Sequence, residues 1–371
     1  MDICIDVQSA VSQRAGVGRY TRLLAQHLAE TAGDDSLNLF CFDFRRKGRP
    51  FPAARAAWRM VRWCPGAAAQ LAWKTLNWPP FERFAGRADL YHFPNFVLPP
   101  LTAGRAVVTI HDITFARLPA LVEERNLRYL NARLRDTVAR ADAILTVSQF
   151  SADEIRDAFN VPQERVFPIY NGISEAFRPP SADAVTALRL RLNLDRPYLL
   201  TVGTVEPRKN IPFMIEVFER LRGFDGCLVL AGMKGWKCEP ILERMRTSTR
   251  SADIRWIRYV DDADLPALYA GADAFLCTSV YEGFGFPPLE AMACGTPVVS
   301  SRGGSLPEVL GSAAVLVPVF EPDLWSAEVE RVLSDGEQRS RLRAAGRKQA
   351  AGYTWAAAAR QTWQVYRKVA G

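Results

Sequence analysis

Tyr281-Glu282-Gly283-Phe284-Gly285-Phe286-Pro287-Pro288-Leu289-Glu290-Ala291-Met292-Ala293-Cys294-Gly295-Thr296-Pro297-Val298-Val299 sets a glycine-rich loop, a helix and a strand in one short run. Pro287 and Pro288 fit the first turn of a helix, where a missing N–H costs nothing, and Gly295 fits its C-terminal end. Val298-Val299 then opens a β-branched strand. Gly283 and Gly285 permit backbone conformations closed to other residues, so the amides of Gly283, Phe284, Gly285 and Phe286 can approach a ligand closely. Glu282 sits in the loop and Glu290 one turn into the helix, so both can face a pocket above the helix N-terminus. That terminus attracts anions through its unpaired N–H groups and its dipole. Two carboxylates beside an anion cradle suit a ligand with both hydroxyls and phosphate, such as a nucleotide sugar.

The same strand–loop–helix grammar runs through the chain. Segments 3–7, 37–42, 90–93, 106–110, 143–147 and 166–169 read as strands separated by helical periods, the pattern of a parallel sheet with covering helices. The pattern lapses at Arg178-Pro179-Pro180-Ser181 and restarts with strands at 199–202, 227–231, 254–257, 274–277, 298–300 and 314–317. At 371 residues the chain is long enough for two domains. The division is an N-terminal domain over 1–178, a linker over 179–196, a ligand-binding domain over 197–352 and a last helix over 353–371. Two doubly wound α/β domains facing a cleft bind ligands at the carboxyl ends of their strands.

Further motifs follow strands. Gly203-Thr204-Val205-Glu206-Pro207-Arg208-Lys209-Asn210 places Arg208 and Lys209 at a helix start, where a diphosphate gains from dipole and cations together. Asn210 is the expected cap. Ala15-Gly16-Val17-Gly18-Arg19-Tyr20 joins the first strand to its helix. Val108-Thr109-Ile110-His111-Asp112 aims His111 from the carboxyl end of a strand, and Tyr91-His92-Phe93-Pro94 ends the strand before it. Ser151 with Glu154 reads as a capping box. Asp262 and Asp264 have the spacing of a metal-binding pair, but ahead of Leu265-Pro266 they read as a helix cap.

These segments together resemble the glycosyltransferases of family 4, a large GT-B group that includes bacterial O-antigen and exopolysaccharide mannosyltransferases. The resemblance implies a GT-B fold whose last helix crosses back to the N-terminal domain. It also implies transfer of a hexosyl group with retained stereochemistry, mannose from GDP-mannose or a related donor, to a lipid-linked or growing glycan. Arg208 and Lys209 would hold the donor diphosphate, Glu282 the sugar hydroxyls and Glu290 the ribose. His111 would contact the donor sugar. Gly16, Gly18 and Gly203 would bring backbone near the donor, and Tyr259 and Val260 would present backbone to the base. Many relatives carry an arginine where this chain has Thr204, and relatives of the bacterial mannosyltransferases share the threonine. No metal or other cofactor is implied. A UDP-sugar-dependent transferase and a GT-B sugar-nucleotide epimerase remain as alternatives.

Net charge is +7, and all of the excess lies in residues 45–87, which hold ten Lys/Arg against one acid, Glu82. Arg55, Arg59 and Arg62 fall on one face of an expected helix, with Trp58 largely opposite. A basic, Trp-containing amphipathic helix suits an anionic membrane surface; a core-packed helix with solvated arginines is the competing reading. Basic patches with aromatics also bind single-stranded nucleic acid, a reading that the pocket motifs disfavour. The start Met1-Asp2-Ile3-Cys4-Ile5 reads as a strand rather than a signal peptide, and no apolar run reaches the length of a membrane span. Seven scattered cysteines without metal-like spacing fit reduced thiols. The expected location is cytoplasmic, on the inner face of the plasma membrane.

Overall fold

The computed structural model describes residues 1–12, 16–48, 50–122 and 124–371. It divides into two compact units: Met1–Ile113 with Arg125–Gly172 and Thr354–Gly371, and Thr114–Glu124 with Ile173–Tyr353.

The first unit is built on β1 (Asp2–Asp6), β2 (Ser36–Phe42), β3 (Ala56–Val61), β4 (Leu90–Phe93), β5 (Arg105–Thr109), β6 (Ala143–Thr146) and β7 (Val166–Pro168). All pairings are parallel, in the order β3-β2-β1-β4-β5-β6-β7. Ile3, Ile5, Leu39, Leu90, Val107 and Ile144 are all but fully buried, as expected of strands covered on both faces. The last helix, Trp355–Ala370, belongs to this unit, as the family resemblance implies. Its Trp363 Nε1 donates to the Leu28 carbonyl at 3.3 Å and to Thr31 Oγ1 at 3.1 Å. Its Tyr366 hydroxyl meets buried His92 Nδ1 at 2.6 Å.

The second unit carries β8 (Tyr198–Val202), β9 (Cys227–Ala231), β10 (Ile254–Arg258), β11 (Ala274–Cys277), β12 (Val298–Ser301) and β13 (Val315–Val317), again all parallel. The order is β10-β9-β8-β11-β12-β13. Chain order reverses beside β8 and β11, the strands whose loops carry the two conspicuous motifs. Such a reversal opens a crevice at the strand ends. Trp325, Phe218, Met214 and Leu276 are core residues of this unit. Residues 179–196, expected as a linker, hold the helix Ala182–Arg191 of the second unit.

Several local expectations are corrected. Residues 56–61 form edge strand β3, not a helix, in parallel register with β2 from Ala56↔Leu37 to Val61↔Phe42. A spacing of four is shared by helix and strand, so Arg55 and Arg59 could not separate the two, and the ladder with β2 decides. Arg59 Nε donates to the Phe84 carbonyl, Arg62 pairs with Asp43, and Trp58 packs edge-on against Phe51. Arg49, within the basic segment, lies outside the described residues. The helix Gln149–Phe159 is capped by Ser148, whose hydroxyl accepts from the Ser151 N–H, so Ser151 is the capped residue rather than the cap. Asn210 precedes the helix Ile211–Arg220 in a left-handed conformation and makes no side-chain cap. Asp264 stands at the N-cap of Leu265–Ala270 but pairs with Arg191 at 2.6 Å instead of capping.

Candidate active site

The centre of the second unit is a charge cluster formed by the loops after β8 and β11. Beyond β8, residues Pro207–Lys209 make one 3₁₀ turn that carries Arg208 and Lys209 to the start of Ile211–Arg220. Beyond β11, Ser279 and Glu282 lie in the loop leading to the helix Phe286–Ala293. The loops are tied together by main chain: Val280 N–H donates to the Arg208 carbonyl, and the Thr278 hydroxyl donates to the Lys209 carbonyl.

Glu282 is the hub. Its Oε2 accepts from Arg208 Nη1 at 2.6 Å, and its Oε1 from Lys209 Nζ and Ser279 Oγ, each at 2.7 Å. Buried Glu206 grips the other edge of Arg208, accepting from Nε at 3.1 Å and Nη2 at 2.7 Å. Arg208 Nη1 also donates to the Tyr281 carbonyl. Two carboxylates thus face two cations, a balanced cluster in which every charge is hydrogen-bonded, as burial requires. Burial alone would raise the Glu282 carboxyl, but Arg208 and Lys209, with the bonds from Lys209 and Ser279, bring it down to about 2.

The backbone around Glu282 is equally fixed. Its carbonyl accepts from the Ser305 N–H at 2.9 Å and the Ser305 hydroxyl at 3.0 Å. Gly304, at φ +65°, lies so close that a Cβ there would sit 2.3 Å from the Glu282 carbonyl oxygen. Gly285, at φ +95°, is the N-cap of Phe286–Ala293, and Pro287 and Pro288 fill its first turn. Phe284 is buried against Phe286 and Tyr353. Glu290 is 2% exposed, and its Oε2 accepts from the Tyr269 hydroxyl at 2.9 Å. Gly203 and Thr204 follow β8, half-buried, and Tyr259 and Val260 follow β10, with Tyr259 exposed. The structure therefore gathers Glu282, Arg208 and Lys209 into one hydrogen-bonded group, and Glu290 bonds separately to Tyr269.

His111 lies in the first unit, just after β5. Its Nε2 lies 2.9 Å from the Pro94 carbonyl, an atom that can only accept, so Nε2 carries the proton. Desolvation holds the imidazole pKa below its ordinary value, against the pulls of the Pro94 carbonyl and the Asp112 carboxylate. In that neutral tautomer Nδ1 keeps a lone pair. Tyr20 meets the ring edge-on with centroids 4.7 Å apart, and the Tyr20 hydroxyl lies 3.1 Å from Thr109 Oγ1. Gly16, at the N-cap of Val17–Glu30, and buried Gly18 begin that helix; Ala15 of the glycine-rich loop lies outside the described residues. His92 is not a surface residue. It is fully buried, bonded to Thr109 and Tyr366, and burial together with nearby His111 pushes its pKa down to about 3.

Glu206 and Ser279 complete the cluster around Arg208 and Glu282. The signal for Glu206 was present, since it stands two residues before Arg208 in the same motif. Nothing local marks Tyr269, which reaches the site through the fold. Among the described residues no group of three or more His, Cys, Asp or Glu is placed to hold a metal ion.

Comparison with known proteins places the chain in a family. The model for "Glycosyltransferase Family 4" matches residues 14–177, and that for "Glycosyl transferases group 1" matches residues 188–349. The chain is 38% identical over 282 residues to O-antigen chain mannosyltransferase B of Escherichia coli, covering 75% of this chain and 74% of that one. It is 31% identical over 268 residues to the serotype-specific mannosyltransferase WbdA of Escherichia coli, covering 68% of this chain but 32% of that longer protein. Among solved structures, sucrose-phosphate synthase from Thermosynechococcus elongatus superposes with a TM-score of 0.79 at 20% identity, over 99% of this chain and 98% of that one, which shows the shared GT-B fold.

Proposed function

The chain belongs to the glycosyltransferases of family 4, and on that premise we propose that it transfers mannose from GDP-mannose, with retained stereochemistry, to a lipid-linked or growing glycan. The observation that carries this reading is the joint hold of Glu282 on Arg208 and Lys209. A donor diphosphate brings the anionic oxygens these two cations pair with, and the N-termini of Ile211–Arg220 and Phe286–Ala293 add dipole and N–H groups. As the sugar–phosphate bond breaks, negative charge grows on the diphosphate, and fixed cations stabilise it without reorganisation. With phosphate on the cations, the Glu282 carboxylate is released to accept hydrogen bonds from sugar hydroxyls. Glu290 would take the ribose hydroxyls and the backbone at Tyr259 and Val260 the base. Gly16, Gly18, Gly203 and Thr204 would line the donor with backbone, and Nδ1 of neutral His111 would accept from the sugar. The departing phosphate would take the acceptor's proton on the same face, and no metal or other cofactor is assigned a role.

The similarity to O-antigen chain mannosyltransferase B supports mannose as the sugar and a polysaccharide as the acceptor. The 45–87 segment supports binding to an anionic membrane surface through side chains outside the strand Ala56–Val61, two of them on the helix Gly66–Leu76. Trp63, Leu71, Leu76 and Trp78 expose between 61% and 69% of their surfaces amid the basic side chains. Aromatic and aliphatic groups beside cations suit the headgroup boundary rather than nucleic acid. No helix among the described residues is long and apolar enough to span a membrane.

The test is incubation with GDP-mannose, UDP-glucose and UDP-galactose in parallel, with a mannose-terminated oligosaccharide as acceptor, for the unaltered chain and Glu282→Ala. Transfer from GDP-mannose alone, abolished by Glu282→Ala, is expected. Transfer from a UDP-sugar, or release of a free epimerised sugar without acceptor, would replace the reading by one of its alternatives.

A further inference from the structure

Tyr366, His92, Thr109 and Tyr20 form one buried polar chain inside the first unit, and no step of the proposed transfer uses it. Thr109, the last residue of β5, is its joint. The Thr109 hydroxyl lies 2.8 Å from His92 Nε2 and 3.1 Å from the Tyr20 hydroxyl. At the other end, the Tyr366 hydroxyl lies 2.6 Å from His92 Nδ1. His92, Thr109 and Tyr366 are fully buried, and Tyr20 is nearly so. His92 is neutral, because burial pushes its pKa down to about 3. A neutral imidazole has a single N–H, so one of the two hydroxyls donates to the ring and the other accepts from it. Either tautomer keeps both ring nitrogens bonded.

Stability alone does not call for such a chain. His92 shares β4 with Leu90, Tyr91 and Phe93, and an apolar side chain in its place would leave no polar atom to satisfy. A fully bonded buried network does something an apolar core does not, which is to fix one arrangement of its members. The member it ends on is Tyr20, whose ring stands at 90° to that of His111 with centroids 4.7 Å apart. The Thr109 carbonyl accepts from the Phe96 N–H at 3.0 Å, and the Phe96 ring centroid lies 5.7 Å from that of His111. Two aromatic neighbours of His111 are therefore held through Thr109. Nε2 of His111 already donates to the Pro94 carbonyl, so the ring can only pivot about that bond, and its aromatic neighbours set the pivot. Because Tyr20 meets His111 ring on ring, the chain passes on an orientation and not a proton. Tyr366 brings in the helix Trp355–Ala370. That helix also meets Tyr20 directly, with the Trp355 ring centroid 5.9 Å away, and Trp363 bonds to the Leu28 carbonyl on Tyr20's own helix.

We propose that Tyr366, His92 and Tyr20 are positioning residues for the transfer step, through which the C-terminal helix aims His111 Nδ1 at the donor sugar. The proposal rests on the assignment of His111 to that sugar and adds three residues to it, one of them from the far end of the sequence. Misplacing a group at the reaction centre by about 1 Å can cost roughly a hundredfold in rate. A hydroxyl that never touches substrate can thus govern turnover by holding the group that does.

The test compares Tyr366→Phe and Tyr20→Phe with the unaltered full chain; each variant keeps its ring and loses only the hydroxyl. Three quantities are read: kcat for transfer from GDP-mannose to a mannose-terminated oligosaccharide, GDP affinity by isothermal titration, and the imidazole nitrogen signals in a long-range proton–nitrogen NMR spectrum. The chain has three histidines, so the His111 signals are identified by their loss in His111→Ala. The expected result is a kcat lowered roughly tenfold in each variant, unchanged GDP affinity, and His111 nitrogen signals shifted or broadened in both. The two hydroxyl variants should lower turnover no further when made in the His111→Ala background, since residues that act through one group are not additive. His111 signals that neither variant moves, unchanged kcat in folded variants, or an equal loss of turnover in the His111→Ala background would each overturn the proposal. If the unaltered chain transfers nothing from GDP-mannose, the donor reading fails on its own, and the His111 signals still decide. Signals moved by both variants would then uphold the aiming of His111, and unmoved signals would overturn it as well.

Discussion

Glu282 Oε2 and Arg208 Nη1 lie 2.6 Å apart across a sequence separation of 74 residues, and the other carboxylate oxygen is held by Lys209. A buried charge cluster of this kind is stable only while intact, because removing one member leaves the others desolvated and unpaired.

Arg208→Ala therefore acts twice. It leaves the Glu206 and Glu282 carboxylates short of a partner, and a stability loss of about 1–3 kcal/mol follows, measured by urea unfolding. It also removes one of the two cations assigned to the diphosphate, and GDP affinity should fall roughly 10- to 100-fold, the loss of one charge-assisted contact. Normal GDP affinity in this variant would remove Arg208 from the donor site.

The pH dependence has a definite sign. The Glu282 carboxyl titrates in the folded chain near 2, below its ordinary value. Its contribution, on the order of 3 kcal/mol, is fully present above the ordinary carboxylate range and is lost as pH falls through about 2. Unfolding free energies of the unaltered chain and Glu282→Gln, followed from pH 7 down to pH 2, should converge as the pH falls. A gap that stays constant over that range would contradict the ion-pair account.

Tyr366→Phe deletes the hydroxyl that lies 2.6 Å from His92 Nδ1 inside the first unit. The buried imidazole loses a partner, and about 1–2 kcal/mol of stability should go with it. Urea unfolding measures this loss, and GDP binding should not change.

Gly304→Ala places a methyl 2.3 Å from the Glu282 carbonyl oxygen at a φ of +65°. Backbone must shift, and the cost should be at least about 2 kcal/mol, with a thermal-shift loss and weakened GDP binding together. A fully active, fully stable alanine variant would show that the loop has room the structure does not give it.

Trp63→Ser combined with Leu71→Ser and Trp78→Ser removes exposed apolar surface, together with the stacking of Trp63 on the core residue Phe84. Burial of each such side chain in a lipid interface is worth about 1.5–3 kcal/mol at most, so flotation with anionic vesicles should fall more than tenfold. Unchanged flotation would reassign that surface.

The alternation of strands and helices was legible throughout the second unit, because its strands are short, largely apolar runs separated by helical periods. The strand Ala56–Val61 was not. It is an edge strand of mixed composition, Ala-Ala-Trp-Arg-Met-Val, and its ladder with Ser36–Phe42 makes it one. Glu282, Arg208 and Lys209 could be named from their motifs, but nothing in the spacing says that one carboxylate holds both cations. That fact depends on the adjacency of β8 and β11 in the sheet. The roles of Ser305 and of Glu206 as a clamp on Arg208 are likewise products of tertiary packing. His92, inside β4 rather than beyond its end like His111 beyond β5, is sealed into the core by Tyr366, which arrives from the far end of the sequence.

The most direct measurement is proton NMR of the reaction with GDP-mannose and a mannose-terminated acceptor, reading the anomeric signal of the product as it forms. The account predicts release of GDP in step with an α-linked mannosyl product, and neither in Glu282→Ala. A β-linked product, or transfer from a UDP-sugar with GDP-mannose inert, would contradict it.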